Sequence, residues 1–365
     1  MGYISKILEL WGYAMRGRGI LGRAGSQRLQ ARSYRSQFYK DVWREAAGEW
    51  GAEFEELDGG ILNISLDGVS TRVYNNYTPL DDPVTLDIAL DKILVHKILR
   101  SHGLPTPDHA EFSLDHLEKG YDFLARHRSC VVKPADDTAG GCGVTTGVET
   151  RLQLIKAAAA AAGYRSSRLL IEEYVTGEMV RLLYLDGRLL DAVRRGFPAV
   201  VGDGKSRISQ LLQNLNQKRL DAGYELAQAT LKYDMDMERT LARQGLSLRA
   251  VPARDRRVRL KNVVNDNIAD ENEPVGHEVS QSITATGRRA AELIGARLAG
   301  IDIITPDIHQ GLEEAGGKII EINTTPGYHM HYFRRGGACR VAVPILETCL
   351  KQARRCREDL DYACI

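Results

Sequence analysis

The chain has no Cys-x-x-Cys pair, and its six cysteines (Cys130, Cys142, Cys339, Cys349, Cys356, Cys364) fall without regular spacing. A disulfide framework is therefore not expected, and a reduced, intracellular protein is. No apolar run reaches the roughly eighteen residues that a membrane helix needs. Lys6 and Glu9 interrupt the apolar start, so no secretory signal is expected and the predicted location is cytoplasmic. An excess of charge of one sign is missing as well. Forty-nine basic residues face 48 acidic ones, for a net charge of +1. No global field draws nucleic acid or an anionic membrane towards such a chain. Residues 1–40 are locally basic (Lys6, Arg16, Arg18, Arg23, Arg28, Arg32, Arg35), which reads as a solvated helical face, with a membrane surface or RNA as the alternative. Internal repeats and a clean βαβ alternation are lacking too, so the pattern is α+β or α/β.

At 365 residues the chain can bury a large core in two or three lobes. Residues 1–85 read as a leading lobe, with a helix over 36–51 and strands at 61–67 and 71–74 joined at Asp67-Gly68. A polar connector, 75–83, leads into a helix over 86–102. A strand at 131–134 enters a Gly-rich stretch, 140–147, followed by an Ala-rich helix over 151–162 and a buried strand at 169–172. A hairpin, 179–184 and 188–195, turns at Asp186-Gly187. Helices are expected within 207–245, over 280–299 and from 344 to about 360. The division predicted is 1–85, 86–178 and 179–365.

The stretch IIEINTTPG at 319–327 follows GIDII at 300–304. Each reads as a β-branched strand carrying hard oxygen ligands inside an apolar run. Strand alternation predicts that Glu321 and Asn323 share one face while Ile320 and Ile322 point into the core. If Asp302 lies on the neighbouring strand, three oxygen-bearing side chains converge. Mg²⁺ takes such ligands and completes its shell with water and substrate phosphates, so an enzyme handling a nucleoside triphosphate is expected.

Other segments fit that expectation. In ADDTAGGCGVTTGV at 135–148, Gly140, Gly141 and Gly143 allow close approach of backbone amides to phosphates. Lys133, just before it, is placed to reach a phosphate as a point charge. Glu172-Glu173-Tyr174-Val175 could read an adenine edge through its backbone; a strand ending in a charged turn is the plain alternative. Gly204-Lys205-Ser206 imitates the end of a P-loop but lacks the upstream glycine, and the glycines at 141, 143 and 147 miss the dinucleotide spacing.

Taken in order, DKILVHKILRSHGLPTP at 91–107, VVKPADDTAGGCGVTTGV at 131–148, EEYVTG at 172–177, RLLYLDGRLLDAVRR at 181–195, GIDII and IIEINTTPGYHMHYF at 319–333 resemble the ATP-grasp superfamily of carboxylate–amine ligases. Within it the likeness is nearest to the ATP-grasp module of the cyanophycin synthetases. The resemblance implies an α+β, three-lobed fold with the nucleotide between the central and C-terminal lobes, and ATP with Mg²⁺ (or Mn²⁺) as cofactors. It implies Lys92 and Lys133 as phosphate grips, 137–147 as a closing flap, and Glu172, Glu173 and Val175 as the adenine hinge. Asp302, Glu321 and Asn323 are then the metal ligands. The implied reaction phosphorylates a carboxylate, and an amine then displaces phosphate to give an amide. Small-molecule carboxylate and amine partners, amino-acid or peptide-like, follow, and a homodimer is left open.

The sequence departs from that pattern in places. Met179 stands where relatives place a ribose-binding acid, with Glu178 one step earlier as its stand-in. The resemblance implies Asn265 as the catalytic-loop asparagine, but different residues follow it, so a substrate other than that of the cyanophycin synthetases is expected. The chain also ends where those enzymes continue into a Mur-ligase-like half, which predicts an enzyme without two-stage elongation. Lys261, Arg259 and Arg194 are candidates for the cation near the acyl carbon. His329-x-His331 reads as pocket lining rather than a metal pair, and Asp203 with Lys205 as a turn.

Overall fold

The computed structural model describes residues 6–8, 23–136, 141–164, 167–223, 230–264 and 269–363. Two expected site residues, Gly140 and Asn265, lie outside them. Strands β1 (Glu53–Glu56), β2 (Leu62–Leu66) and β3 (Val69–Val73) form an antiparallel meander. Its β2–β3 turn is Asp67-Gly68, both at positive φ (52° and 78°), as a two-residue hairpin turn requires. Strands β4 (His109–Phe112), β5 (Cys130–Pro134), β6 (Thr145–Val148) and β7 (Leu169–Glu173) make a four-stranded sheet in the order β4-β7-β5-β6.

Beyond it, β8 (Glu178–Leu185) and β9 (Arg188–Arg195) form the hairpin expected at Asp186-Gly187, and β10 (Ala199–Val201) pairs with β11 (Arg257–Arg259). Strands β12 (Asn272–Pro274), β13 (Leu298–Thr305) and β14 (Lys318–Asn323) complete a five-stranded sheet, β12-β9-β8-β13-β14. Every described pairing is antiparallel, so the fold is α+β.

The helix expected over 86–102 is instead two, Pro83–Leu90 and Lys92–Ser101. Asp91 is the reason. Its carboxylate accepts from the Ile93 and Leu94 amides, both at 3.0 Å, and so caps a fresh helix that begins at Lys92. Helix Arg151–Ala162 starts where a capping box, Thr150 with Gln153, places it. The helix expected over 280–299 ends at Ile294, because Gly295 takes a left-handed C-cap (φ 79°) and β13 begins at Leu298.

One face of the five-stranded sheet packs Val180, Leu182, Ile301, Ile303, Ile319 and Ile322 against helices Pro83–Leu90, Lys92–Ser101 and Gln281–Ile294. A second core joins the leading segment to the end of the chain: Phe38, Val42 and Trp43 of helix Arg23–Glu49 pack with Leu183, Leu298, Tyr328, Ile345 and Leu346. The leading residues are thus built onto the C-terminal sheet and helix Ala342–Ala363. Trp43 is fully buried, edge-on to Tyr328, and its indole N–H donates to the Asn75 carbonyl at 2.7 Å. Trp43→Ala is expected to cost about 3–5 kcal/mol, read as a lower urea midpoint. Trp43→Phe should lose less, since it keeps most of the buried area.

Candidate active site

A cleft of about 850 Å³ lies between the four- and five-stranded sheets, with residues of the leading segment at its rim. Strand alternation decides what faces it. While Val180, Ile301 and Ile303 enter the core, Met179, Arg181, Asp302 and Ile304 line the cleft. The register sets Asp302 directly between Arg181 on β8 and Glu321 on β14.

Three cation–carboxylate pairs form the polar floor. Arg181 clasps Asp302 with two donors, at 2.5 and 2.6 Å. Lys133 on β5 lies 2.7 Å from Glu172 on β7, and Lys92 lies 3.1 Å from Glu321. Lys133, Glu172, Arg181 and Asp302 are only 2–5 % exposed. Burial alone would raise the Glu321 pKa, but Lys92, Lys133 and Arg181 outweigh it and hold the carboxyl at about 2.

Two β-bulges tune this floor. Between β13 and β14 the register slips by one at Ile320, so Ile320 lines the cleft and Ile319 takes its expected place in the core. The expectation that Ile320 points inward is corrected by that extra residue. Between β8 and β9 an unbroken two-residue hairpin would set Arg194 opposite Met179. The slip at Leu183/Tyr184 sets Arg195 there instead, and Arg195 lines the cleft. Arg194 turns away to Glu178, Glu273 and Glu278, at 2.9, 2.7 and 3.0 Å. Neither Arg194 nor Glu178, the stand-in for a ribose-binding acid, is among the cleft-lining residues.

Lys261 is also turned away: it is buried and lies 2.7 Å from Asp234, while its neighbours Arg259 and Asn262 reach the cleft. Gly141 lines the cleft. Gly143 sits against Tyr164 and Pro134 at positive φ (80°), where a side chain would crowd both. At the hinge, Glu172, Glu173 and Val175 all line the cleft. Glu173 accepts from the Asp108 amide at 3.0 Å, and among the described residues no backbone hydrogen bond uses Val175. Gly177 follows at φ 139°, where a Cβ would sit on the Thr305 carbonyl. His329 lines the cleft, whereas His331 is buried against Asp191 at 2.7 Å, so the two histidines do not act together.

Comparison with known proteins finds relatives for the chain. The chain is 28% identical over 311 residues to a cyanophycin synthetase of Trichormus variabilis, covering 81% of this chain and 34% of that protein. It is 27% identical over 286 residues to the glutathione biosynthesis bifunctional protein GshAB of Desulfotalea psychrophila, covering 77% and 37%. Among solved structures, a bifunctional glutathione synthetase from Pasteurella multocida superposes with a TM-score of 0.52 and 26% identity, over 83% of this chain and 42% of that one. The chain belongs to the ATP-grasp superfamily. It spans about a third of the length of the curated relatives it matches, and no protein-family model matches it.

In this ATP-grasp cleft, sequence reasoning missed Arg35, Asn76, Tyr77 and Arg195. The first three come from the leading segment, where no motif marked them, and Arg195 depends on a bulge.

His96 ties the hinge to the floor. It is fully buried; its Nε2 meets the Ile320 carbonyl at 3.3 Å, and its Nδ1 lies 3.5 Å from Glu172. Burial, the largest influence, together with Lys133 and His109 outweighs the attraction of Glu172 and lowers its pKa from 6.5 to about 4. The unfolded chain therefore takes up this proton at higher pH than the folded one. The stability contributed is complete above pH 6.5 and is lost as pH falls through about 4. His96→Gln is expected to flatten that part of a plot of urea midpoint against pH.

Proposed function

We propose that this chain is an ATP-dependent carboxylate–amine ligase, carrying out the chemistry that its family membership suggests. The observation that carries the reading is the floor of paired charges. Lys92, Lys133 and Arg181 each hold a carboxylate in one cleft, and phosphate oxygens can take over such cations. In this reading Lys92 and Lys133 grip the nucleotide phosphates, and the open backbone of Val175 reads the adenine edge between Glu173 and Gly177. The Gly-rich loop closes over the phosphates and keeps water from the acyl phosphate.

Asp302, Glu321 and Asn323 fit a hard divalent cation. All three offer oxygen, and the Asn323 amide nitrogen points to the Gly300 carbonyl at 3.4 Å, which leaves its oxygen available. Among the described residues no three His, Cys, Asp or Glu side chains cluster as a metal site, so the amide would be the third ligand. A bound Mg²⁺ would neutralise charge on the nucleotide phosphates.

The substrate carboxylate attacks the γ-phosphorus and displaces ADP. The amine then attacks the acyl carbon, loses a proton, and inorganic phosphate leaves. Both steps build negative charge on oxygen, and Arg195 and Arg259 are the cleft-lining cations for it. They replace Arg194 and Lys261 in that role. Arg259 also stacks over Phe197, 3.8 Å from the ring centroid, which holds its guanidinium flat.

A cytoplasmic setting belongs to the same proposal. Cys130, Cys339, Cys349 and Cys356 form no disulfide, and among the described residues no helix is long and apolar enough to cross a membrane.

Protein supplied with ATP, Mg²⁺ and a panel of amino acids and amines is expected to release phosphate only with particular pairs. No stimulation by any pair would remove the ligase reading. Glu321→Gln should lower turnover by about 10²–10³-fold while far-UV circular dichroism stays unchanged; full activity in that variant would remove the metal assignment.

A further inference from the structure

The leading segment reaches into the cleft through one compact device. Residues 74–77 form a tight turn in which Tyr74 and Tyr77 exchange both backbone hydrogen bonds, at 3.1 and 2.8 Å. Asn75 takes the left-handed conformation that the turn needs (φ 51°), and its carbonyl is held by Trp43. Asn76, at the tip, is 4 % exposed. Its amide nitrogen donates to the Thr325 carbonyl at 2.5 Å, and its oxygen accepts from Arg35 at 3.0 Å. Both ends of the amide are thus fixed, and Arg35 is aimed along the cleft wall above Tyr39, 5.8 Å from that ring's centroid. The anchor itself is rigid, since the Tyr39 hydroxyl accepts from the Tyr328 amide at 3.1 Å.

Position and charge both separate Arg35 from the nucleotide grips. Strand β14 begins beside the hinge, where Lys318 lies 3.8 Å from Glu173, and it ends at Asn323. Five residue steps at about 3.3 Å each place its far end roughly 16 Å from the hinge. Arg35 is tied through Asn76 to Thr325, beyond that far end and past the Asp302, Glu321 and Asn323 oxygens. Lys92, Lys133 and Arg181 each hold a cleft carboxylate. Among the described residues no carboxylate pairs with Arg35; its guanidinium donates to Asn76 and also meets the Tyr39 hydroxyl, which still leaves N–H donors of its five for a ligand.

We infer that Arg35, oriented by Asn76, binds a second, non-reacting carboxylate of the substrate, so that the ligase selects an amino-acid or peptide-type molecule carrying one carboxylate to be activated and another to be held. This rests on the ligase reading and adds the anionic anchor to it. Tyr77, 53 % exposed and stacked on Tyr74 at the same rim, offers an apolar surface on which the body of such a molecule can lie. An arginine fork suits a carboxylate because two N–H donors meet two oxygens.

The test is calorimetric binding of aspartyl and glutamyl dipeptides, each with a free or an amidated C-terminal carboxylate, to protein held with Mg²⁺ and a non-hydrolysable ATP analogue. Free-carboxylate members are expected to bind at least about tenfold more tightly than their amides. Arg35→Ala should abolish that ratio, Arg35→Lys should restore part of it, and affinity for the nucleotide analogue should not change. Equal binding of free and amidated probes, no binding of any probe, or a ratio that survives in Arg35→Ala overturns the inference. The ligase reading is scored separately, by phosphate release in the wild-type protein, so either can fail while the other stands.

Discussion

The cleft depends on keeping the charges of its floor paired. Removing an ammonium, a guanidinium or a carboxylate from water costs several kcal/mol per ion, which only a close partner offsets. Here each partner comes from a distant part of the chain: Lys133 from β5 with Glu172 from β7, Arg181 from β8 with Asp302 from β13, Lys92 from a helix start with Glu321 from β14. The pairs therefore stabilise only the arrangement in which both sheets face each other across the cleft. Apolar residues of similar size would serve stability as well or better. That charges stand here instead is consistent with a site whose cations exchange one anion for another.

That exchange needs the anionic side chains to be ionised and close but not inseparable. Glu321, held near pKa 2 by Lys92 and its neighbours despite burial, carries its charge throughout the neutral range. Lys92 is 11 % exposed and 3.1 Å from it, whereas the Arg181 clasp on Asp302 is shorter and doubly bonded. The floor is thus graded: a tighter, doubly bonded pair in the middle of the sheet, and a looser pair where the helix meets β14. The bulge at Ile320 lies at that junction, and His96 grips its carbonyl. A bulge stiffened by a buried side chain keeps Glu321 at its height above the sheet.

Local chemistry made much of this legible in the sequence. Asp67-Gly68 and Asp186-Gly187 announce their hairpins because few other dipeptides accept two consecutive positive φ values. Period-two alternation put Glu321 and Asn323 on one face, and Lys133, Glu172 and Asp302 were recognised from their strands. What escaped is non-local. A bulge adds one residue without changing composition, so the choices between Arg194 and Arg195, and between Ile319 and Ile320, could not be made from spacing. Arg35 was indistinguishable from its basic neighbours on helix Arg23–Glu49. Only the turn at 74–77, folded back by Trp43 from a distant stretch, gives that arginine a direction.

The same non-local logic joins the two segments that flank the cleft opening. Asp236 is fully buried, and its two oxygens serve different masters. One accepts from the Thr146 amide and hydroxyl, at 3.2 and 2.6 Å, on the strand that follows the Gly-rich loop. The other accepts from the Asn262 and Val263 amides, at 2.9 and 3.0 Å, in the arm that carries Arg259. Breaking either half would leave a buried carboxylate with unmet hydrogen bonds, a cost of a few kcal/mol. The base of the Gly-rich loop and the Arg259 arm are therefore held as one body. In the proposed closure of the loop over a nucleotide, movement that reaches Thr146 would carry that arginine with it.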